Sequence, residues 1–196
     1  MIDGPLLWYL NRGTGFVLLG LFTLTTVLGV LATGGRAGRG LLPRFVTQGL
    51  HRNLALLSVV MLGTHVTTAV VDSYVDIRWW QALVPYAGST YLPVWLGLGT
   101  LALDLALVVT VTSLLRTRMR HRSWRAVHVL AYAGWAASVA HTLGIGTDIR
   151  DGVSWAQLTV AGCVAAVAAA VALRLGRLAS DRAGRDRAGL PVRSAS

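Results

Sequence analysis

The sequence predicts an all-α, polytopic membrane bundle of about five transmembrane helices, N-terminus outside and C-terminus inside, and three observations carry that prediction. Of 196 residues, 54% are hydrophobic and 13% charged, and mean hydropathy is +0.59; soluble domains carry about 25% charged residues. Apolar runs long enough for a hydrocarbon layer about 30 Å thick, which takes roughly 20 helical residues, recur five times along the chain. Charge is also segregated: all arginines except Arg12, Arg78 and Arg150 lie after the first or third run, at the adjoining helix starts, or in the tail. Asp3, Asp72, Asp76, Asp148 and Asp151 lie on the opposite set of segments. Arginine-rich loops stay cytoplasmic, which sets the orientation, and an odd number of spans agrees with it.

The first span is expected over about Thr14–Ala32, after a start that has an acid, Asp3, where a secretory signal would be basic. Gly34, Gly35, Gly38 and Gly40, interleaved with Arg36, Arg39 and Arg44, read as a flexible basic loop. The second span runs over about Gly49–Val71. A longer connection to Pro93 carries Trp79, Trp80, Tyr86 and Tyr91, residues suited to an interfacial belt. The third span, about Val94–Leu115, ends in Arg116, Arg118, Arg120, Arg122 and Arg125; the fourth runs over about Trp124–Gly146 and the fifth over about Trp155–Leu173. Residues 1–173 thus form the membrane domain, and the polar segment 174–196 reads as a basic, disordered cytoplasmic tail.

Net charge is +10, carried by arginine alone. Beside apolar spans, such charge answers to topology and anionic lipid headgroups rather than to nucleic acid. The chain is therefore expected in the plasma membrane as a multi-pass protein with lipid as its first partner. Cys163 has no second cysteine to pair with, and in an Ala/Val helix it reads as a packing residue.

Four histidines carry the chemistry. His51 and His65 are fourteen residues apart on the second span, and His128 and His141 are thirteen apart on the fourth. At 1.5 Å rise per residue, fourteen residues cover roughly 21 Å, so each pair reaches from near one face of the hydrocarbon to near the other. Both spans run from cytoplasm to exterior, which places His51 level with His128 and His65 level with His141. A single intramembrane histidine often serves only a helix–helix hydrogen bond. Two pairs at matched depths are harder to explain that way, because ionisable groups in spans are costly and rare. Facing imidazoles can supply both axial ligands of a haem iron in a bundle core, so two pairs imply two haems. Copper, zinc or nickel also accept imidazole, but two histidines without nearby cysteine or carboxylate leave such ions under-coordinated. His121, in the arginine-rich loop, reads as a surface residue.

The helical phase of the two spans differs. At 100° per residue, fourteen residues return His65 to within about 40° of His51, while thirteen leave His141 about 140° from His128. Span four must therefore twist, bend or meet its two haems on different sides, and Gly134 is the expected bending point.

In these contexts, Leu50-His51-Arg52, Gly63-Thr64-His65, Val127-His128 and His141-Thr142-Leu143-Gly144, the chain resembles the ferric reductase-like transmembrane domain family. That family includes ferric reductases, NADPH oxidases and the haem subunit of the periplasmic methionine sulfoxide reductase system. The resemblance covers roughly residues 5–173 and implies an inner b-type haem on His51 and His128 and an outer one on His65 and His141. It implies a membrane oxidoreductase subunit that passes electrons outward. Larger relatives continue into a flavin and nicotinamide domain; about twenty residues follow the last span here, without a glycine-rich dinucleotide motif. A separate cytoplasmic flavoprotein is then the expected donor, with the flavin on that partner, and an extracytoplasmic acceptor or partner reductase receives the electrons. The alternatives are a quinol-linked cytochrome b subunit and a non-redox scaffold or transporter with structural histidines.

Arg52 and Arg125 lie close enough to the inner histidines to pair with haem propionates, since guanidinium matches carboxylate bidentately. Arg12, beside Gly13 and Gly15, is the corresponding candidate at the outer site. Asp104, in mid-span three, is expected to be protonated or hydrogen-bonded to a neighbouring hydroxyl, because a charge there would cost several kcal/mol.

Overall fold

The computed structural model describes residues 5–32, 43–72, 77–86 and 91–187. The basic loop over 33–42, Asp3, Asp76 and the last nine residues lie outside the described residues. Among those described every regular element is helical: α1 (Pro5–Ala32), α2 (Arg44–Val71), α3 (Pro93–Leu114), one 3₁₀ turn (Arg116–Arg118), α4 (His121–His128), α5 (Leu130–Ile145), α6 (Thr147–Arg150) and α7 (Ser154–Arg187). The bundle is thus all-α and polytopic. Four single helices are long and apolar enough to cross a membrane, within α1, α2, α3 and α7. The remaining expected span is divided into α4 and α5 and has no single helix of that length.

The apolar surface of these helices faces outward. Val60, Leu114 and Leu158 are 65–71% exposed, as expected where lipid rather than water is the surrounding phase. Trp79 and Trp80 lie exposed on the turns over residues 79–86, as an interfacial position requires.

The helices associate as two antiparallel hairpins. α1 packs along α2, α3 packs along α5, and α1 joins the halves by also contacting α5 and α7. α2 and α5 consequently run in the same direction. Two apolar clusters fasten the arrangement: Leu18, Leu62 and Leu103 join α1, α2 and α3, and Leu19, Val139, Val160 and Cys163 join α1, α5 and α7. Cys163 is buried and free, in its expected packing role. Between helices, the Trp135 indole N–H donates to the Thr23 hydroxyl at 3.0 Å, a polar tie of the kind that apolar surroundings favour.

Two expectations change. The break in span four falls at Val129, one residue after His128, and α5 runs unbroken through Gly134. There the Tyr132 N–H donates to the Val129 carbonyl at 3.1 Å, an i to i+3 bond that tightens the turn. Each residue wound at 3.0 rather than 3.6 per turn advances about 20° further, which works against the phase deficit between His128 and His141. Gly134 is instead buried where a Cβ would meet Leu105 at 3.4 Å. The tail also differs, because α7 continues to Arg187, so residues 174–187 are helical. Leu, Ala and Arg favour helix, and Arg177–Asp181 falls at the i, i+4 spacing that supports it.

Candidate histidine centres between two helical hairpins

Each helical hairpin pairs a histidine-bearing helix with one that supplies a seat for the imidazoles. His65 Nδ1 lies 3.1 Å from the Asn11 carbonyl, His51 Nδ1 3.0 Å from the Thr25 carbonyl, and His141 Nδ1 2.8 Å from the Trp95 carbonyl. A carbonyl can only accept, so in all three rings Nδ1 carries the proton and donates it. The other nitrogen, Nε2, keeps its lone pair. Donation from one ring nitrogen to a carbonyl is how metal-binding imidazoles are usually oriented and made more basic.

Glycine makes these seats. Four residues after each accepting carbonyl stands a glycine: Gly15 after Asn11, Gly29 after Thr25 and Gly99 after Trp95. A helical side chain covers the turn N-terminal to its own Cα, so glycine uncovers that carbonyl and lets the ring lie on the backbone. A Cβ added at Gly15 would meet His65 Cε1 at 3.2 Å, one at Gly29 would meet His51 Cε1 at 3.4 Å, and one at Gly99 would meet His141 Cε1 and Nδ1 at 2.6 Å. Gly15, close to Arg12 in the sequence, has the His65 ring as its neighbour in space. Gly29 and Gly99 stand in plain apolar runs. Their signal was present, because Gly15 and Gly29 are fourteen apart, the same spacing as His51 and His65 on the antiparallel partner.

The fourth histidine departs from this pattern. Fourteen residues after Gly99 stands Ser113, whose Oγ lies 3.4 Å from His128 Nδ1. The Trp124 ring stacks on His128 at 4.8 Å between centroids and 25° between planes. His51 and His128 face each other with centroids 6.2 Å apart at 66°. That distance leaves room for one metal ion and two metal–nitrogen bonds of about 2.0–2.1 Å between the rings. His121 is exposed, with its ring 5.6 Å from Trp124.

His65 and His141 line a cavity of about 790 Å³ at the opposite end of the bundle. Its wall includes Leu18, Leu62 and Leu103, the apolar cluster that separates this cavity from the level of His51. Arg12 and Asp148 close one side. Arg12 Nε donates to Asp148 Oδ2 at 3.0 Å and Nη2 pairs with Oδ1, while the guanidinium lies 3.8 Å over the Trp8 ring. Arg12 thus finds its carboxylate within the chain, and the pair ties the first half of α1 to α6 across 136 residues. Arg52 and Arg125, by contrast, are exposed and form no ion pair among the described residues. Asp104 is half-buried and makes neither a hydrogen bond nor an ion pair among the described residues; the expected hydroxyl partner is not there. No group of three or more His, Cys, Asp or Glu side chains converges among the described residues, so the histidines come in twos.

Comparison with curated proteins and with solved structures returned no match. One family profile matches residues 6–148, a stretch that starts within α1, ends at Asp148 and contains all four histidines and their seats. On that match over most of its length, the chain belongs to the family described as a domain of unknown function, DUF8596.

Proposed function

We propose that the chain is a b-type di-haem membrane cytochrome, ferric reductase-like, that passes electrons across the plasma membrane from a cytoplasmic flavoprotein to an acceptor on the outer face. The observation that carries this reading is the state of the imidazoles: three have Nδ1 committed to a backbone carbonyl and Nε2 left to coordinate, and the four stand in two pairs between hairpins. In this reading His51 and His128 hold the inner haem and His65 and His141 the outer. A bound haem supplies an iron centre that accepts and releases one electron at a time.

The donor sets suit such a group. Two imidazoles would complete the ligand set of a porphyrin iron, whereas a bare ion would need further ligands. Two buried polar groups have no partner among the described residues, the Thr25 hydroxyl and the Trp124 indole N–H. They belong to the residue that seats His51 and the residue that stacks on His128. Buried donors are ordinarily satisfied, and the acceptor oxygens of a propionate would satisfy these. Arg52 and Arg125, exposed on α2 and α4, are available to the same carboxylates. By the distribution of arginine, the His51 end faces the cytoplasm and the His65 end the exterior. The outer cavity is lined by apolar side chains such as Phe16, Leu18, Leu62 and Leu103 together with polar ones such as Gln81, Thr100 and Ser138.

The test is to express the full chain with haem supplied, purify it in detergent and measure the haem-to-protein ratio with the reduced absorption spectrum. A ratio near two with b-type bands is expected, falling to one in His65→Ala and in His51→Ala. A ratio that stays at zero overturns the reading. Reduction by a quinol analogue without any flavoprotein would replace the proposed donor with quinol.

A further inference from the structure

The two hairpins repeat one design, and the repeat fails at a single seat. α1 presents Gly15 and Gly29 to His65 and His51; α3 presents Gly99 and Ser113 to His141 and His128. Three rings rest on a glycine and donate to a carbonyl at 2.8–3.1 Å. At the fourth, the Ser113 Cβ occupies the space that glycine leaves open. The carbonyl four residues earlier, that of Val109, accepts a bond from the Thr112 hydroxyl at 3.2 Å, as the Asn11 carbonyl accepts one from Thr14 at 3.0 Å, but His128 makes no bond to it. His128 meets the Ser113 hydroxyl instead, at 3.4 Å, beyond the usual range for a strong bond.

We infer that Ser113 is a positioning residue that holds His128 more loosely than the glycine–carbonyl seats hold the other three histidines, making the inner site the one with a ligand held through a hydroxyl alone; the Thr14 hydroxyl also lies 3.4 Å from His65 Nδ1, but that ring keeps its carbonyl at 3.1 Å. This inference rests on the di-haem reading. A carbonyl accepts and fixes Nδ1–H; a hydroxyl both donates and accepts, and its proton rotates. The weaker the acceptor at Nδ1, the less basic Nε2 becomes as a ligand. A less basic ligand donates less charge to an iron centre and so favours its reduced state. Trp124, stacked on the same ring, limits how far His128 can tilt without fixing its protonation.

The experiment is redox potentiometry of the purified full-length chain, with haem content and low-spin EPR signal recorded on the same samples. The potential belonging to the inner site is the one that remains in His65→Ala. Ser113→Gly opens a seat like the other three and is expected to lower the inner potential. Ser113→Ala, which leaves Nδ1 without a partner, is expected to raise it. Ser113→Thr keeps the hydroxyl and is expected to stay near wild type, and the outer potential is expected to stay put in all three. Two haems per chain with an inner potential and EPR signal unmoved in both Ser113→Gly and Ser113→Ala overturn this inference while leaving the di-haem reading intact. Absence of haem from the wild-type chain overturns both.

Discussion

The two histidine pairs occupy equivalent places in a repeated design, yet their surroundings differ. His65 and His141 both sit on glycine seats beside a cavity of about 790 Å³ whose side is closed by the Arg12–Asp148 pair. His51 and His128 face each other at 6.2 Å, one seated on glycine and the other against a serine hydroxyl and a tryptophan ring. The outer pair is thus held by backbone and enclosed by an ion pair; the inner pair is held partly by side chains that can rotate. Backbone carbonyls in a packed helix hardly move, whereas a serine rotamer costs little to change. The outer centre is the rigid one of the two.

If seat rigidity matters, glycine substitutions should rank by the room each seat leaves. Gly99→Ala has the largest expected effect, because its Cβ would lie 2.6 Å from the His141 ring. The ring cannot yield without losing its bond to Trp95, and overpacking of this kind costs about 1–3 kcal/mol. Gly15→Ala, at 3.2 Å, should cost less, and Gly29→Ala, at 3.4 Å, least. Thermal unfolding in detergent should give that order, and on the proposed di-haem reading haem at the His65–His141 site should be lost first in Gly99→Ala. Equal effects in all three would mean that the seats do not control the rings.

The ion pair offers the next largest lever. Removing one member of a partly buried pair strands the other, at a cost of about 1–3 kcal/mol. The Arg12 and Asp148 side chains are only 25% and 11% exposed. Arg12→Leu or Asp148→Leu should therefore lower the unfolding temperature and, on the proposed di-haem reading, loosen the haem at His65 and His141 while leaving the one at His51 and His128 in place, and the double variant should recover part of the loss. Measuring site-specific haem loss in the three variants checks this; uniform loss from both sites would contradict the division between a rigid outer and an adjustable inner centre.

The smallest expected effect is at the tie between the halves. Thr23→Val removes the acceptor of the Trp135 indole N–H at a cost of about 1 kcal/mol. It should lower stability slightly and leave both haem contents unchanged, read by the same unfolding and pigment measurements.

Much of this molecule is written in local pattern. Apolar runs of about 20 residues must become helices in a membrane because no other open structure satisfies their backbone, so α1, α2, α3 and α7 were legible. The four histidines were legible as a set because polar groups are conspicuous in such runs. Alternation of direction then placed α2 and α5 in parallel, and the contacts of α1 with α2 and of α3 with α5 agree with that placement.

What only the tertiary structure decided is how each imidazole is held. Gly29, Gly99 and Ser113 look like ordinary members of apolar helices, since hydropathy does not register the absence of a Cβ. Their role depends on the rotation of one helix against another, which is set by interlocking surfaces such as Leu18, Leu62 and Leu103 and has no counterpart in a single helix's periodicity. The same holds for the break at Val129: the thirteen-residue spacing left span four free to twist, bend or present its histidines on different sides, and the break between α4 and α5 is visible only in the folded chain. Arg12 completes the contrast. Its charge was plain in the sequence, while its partner Asp148, 136 residues away, became its neighbour only when the chain folded.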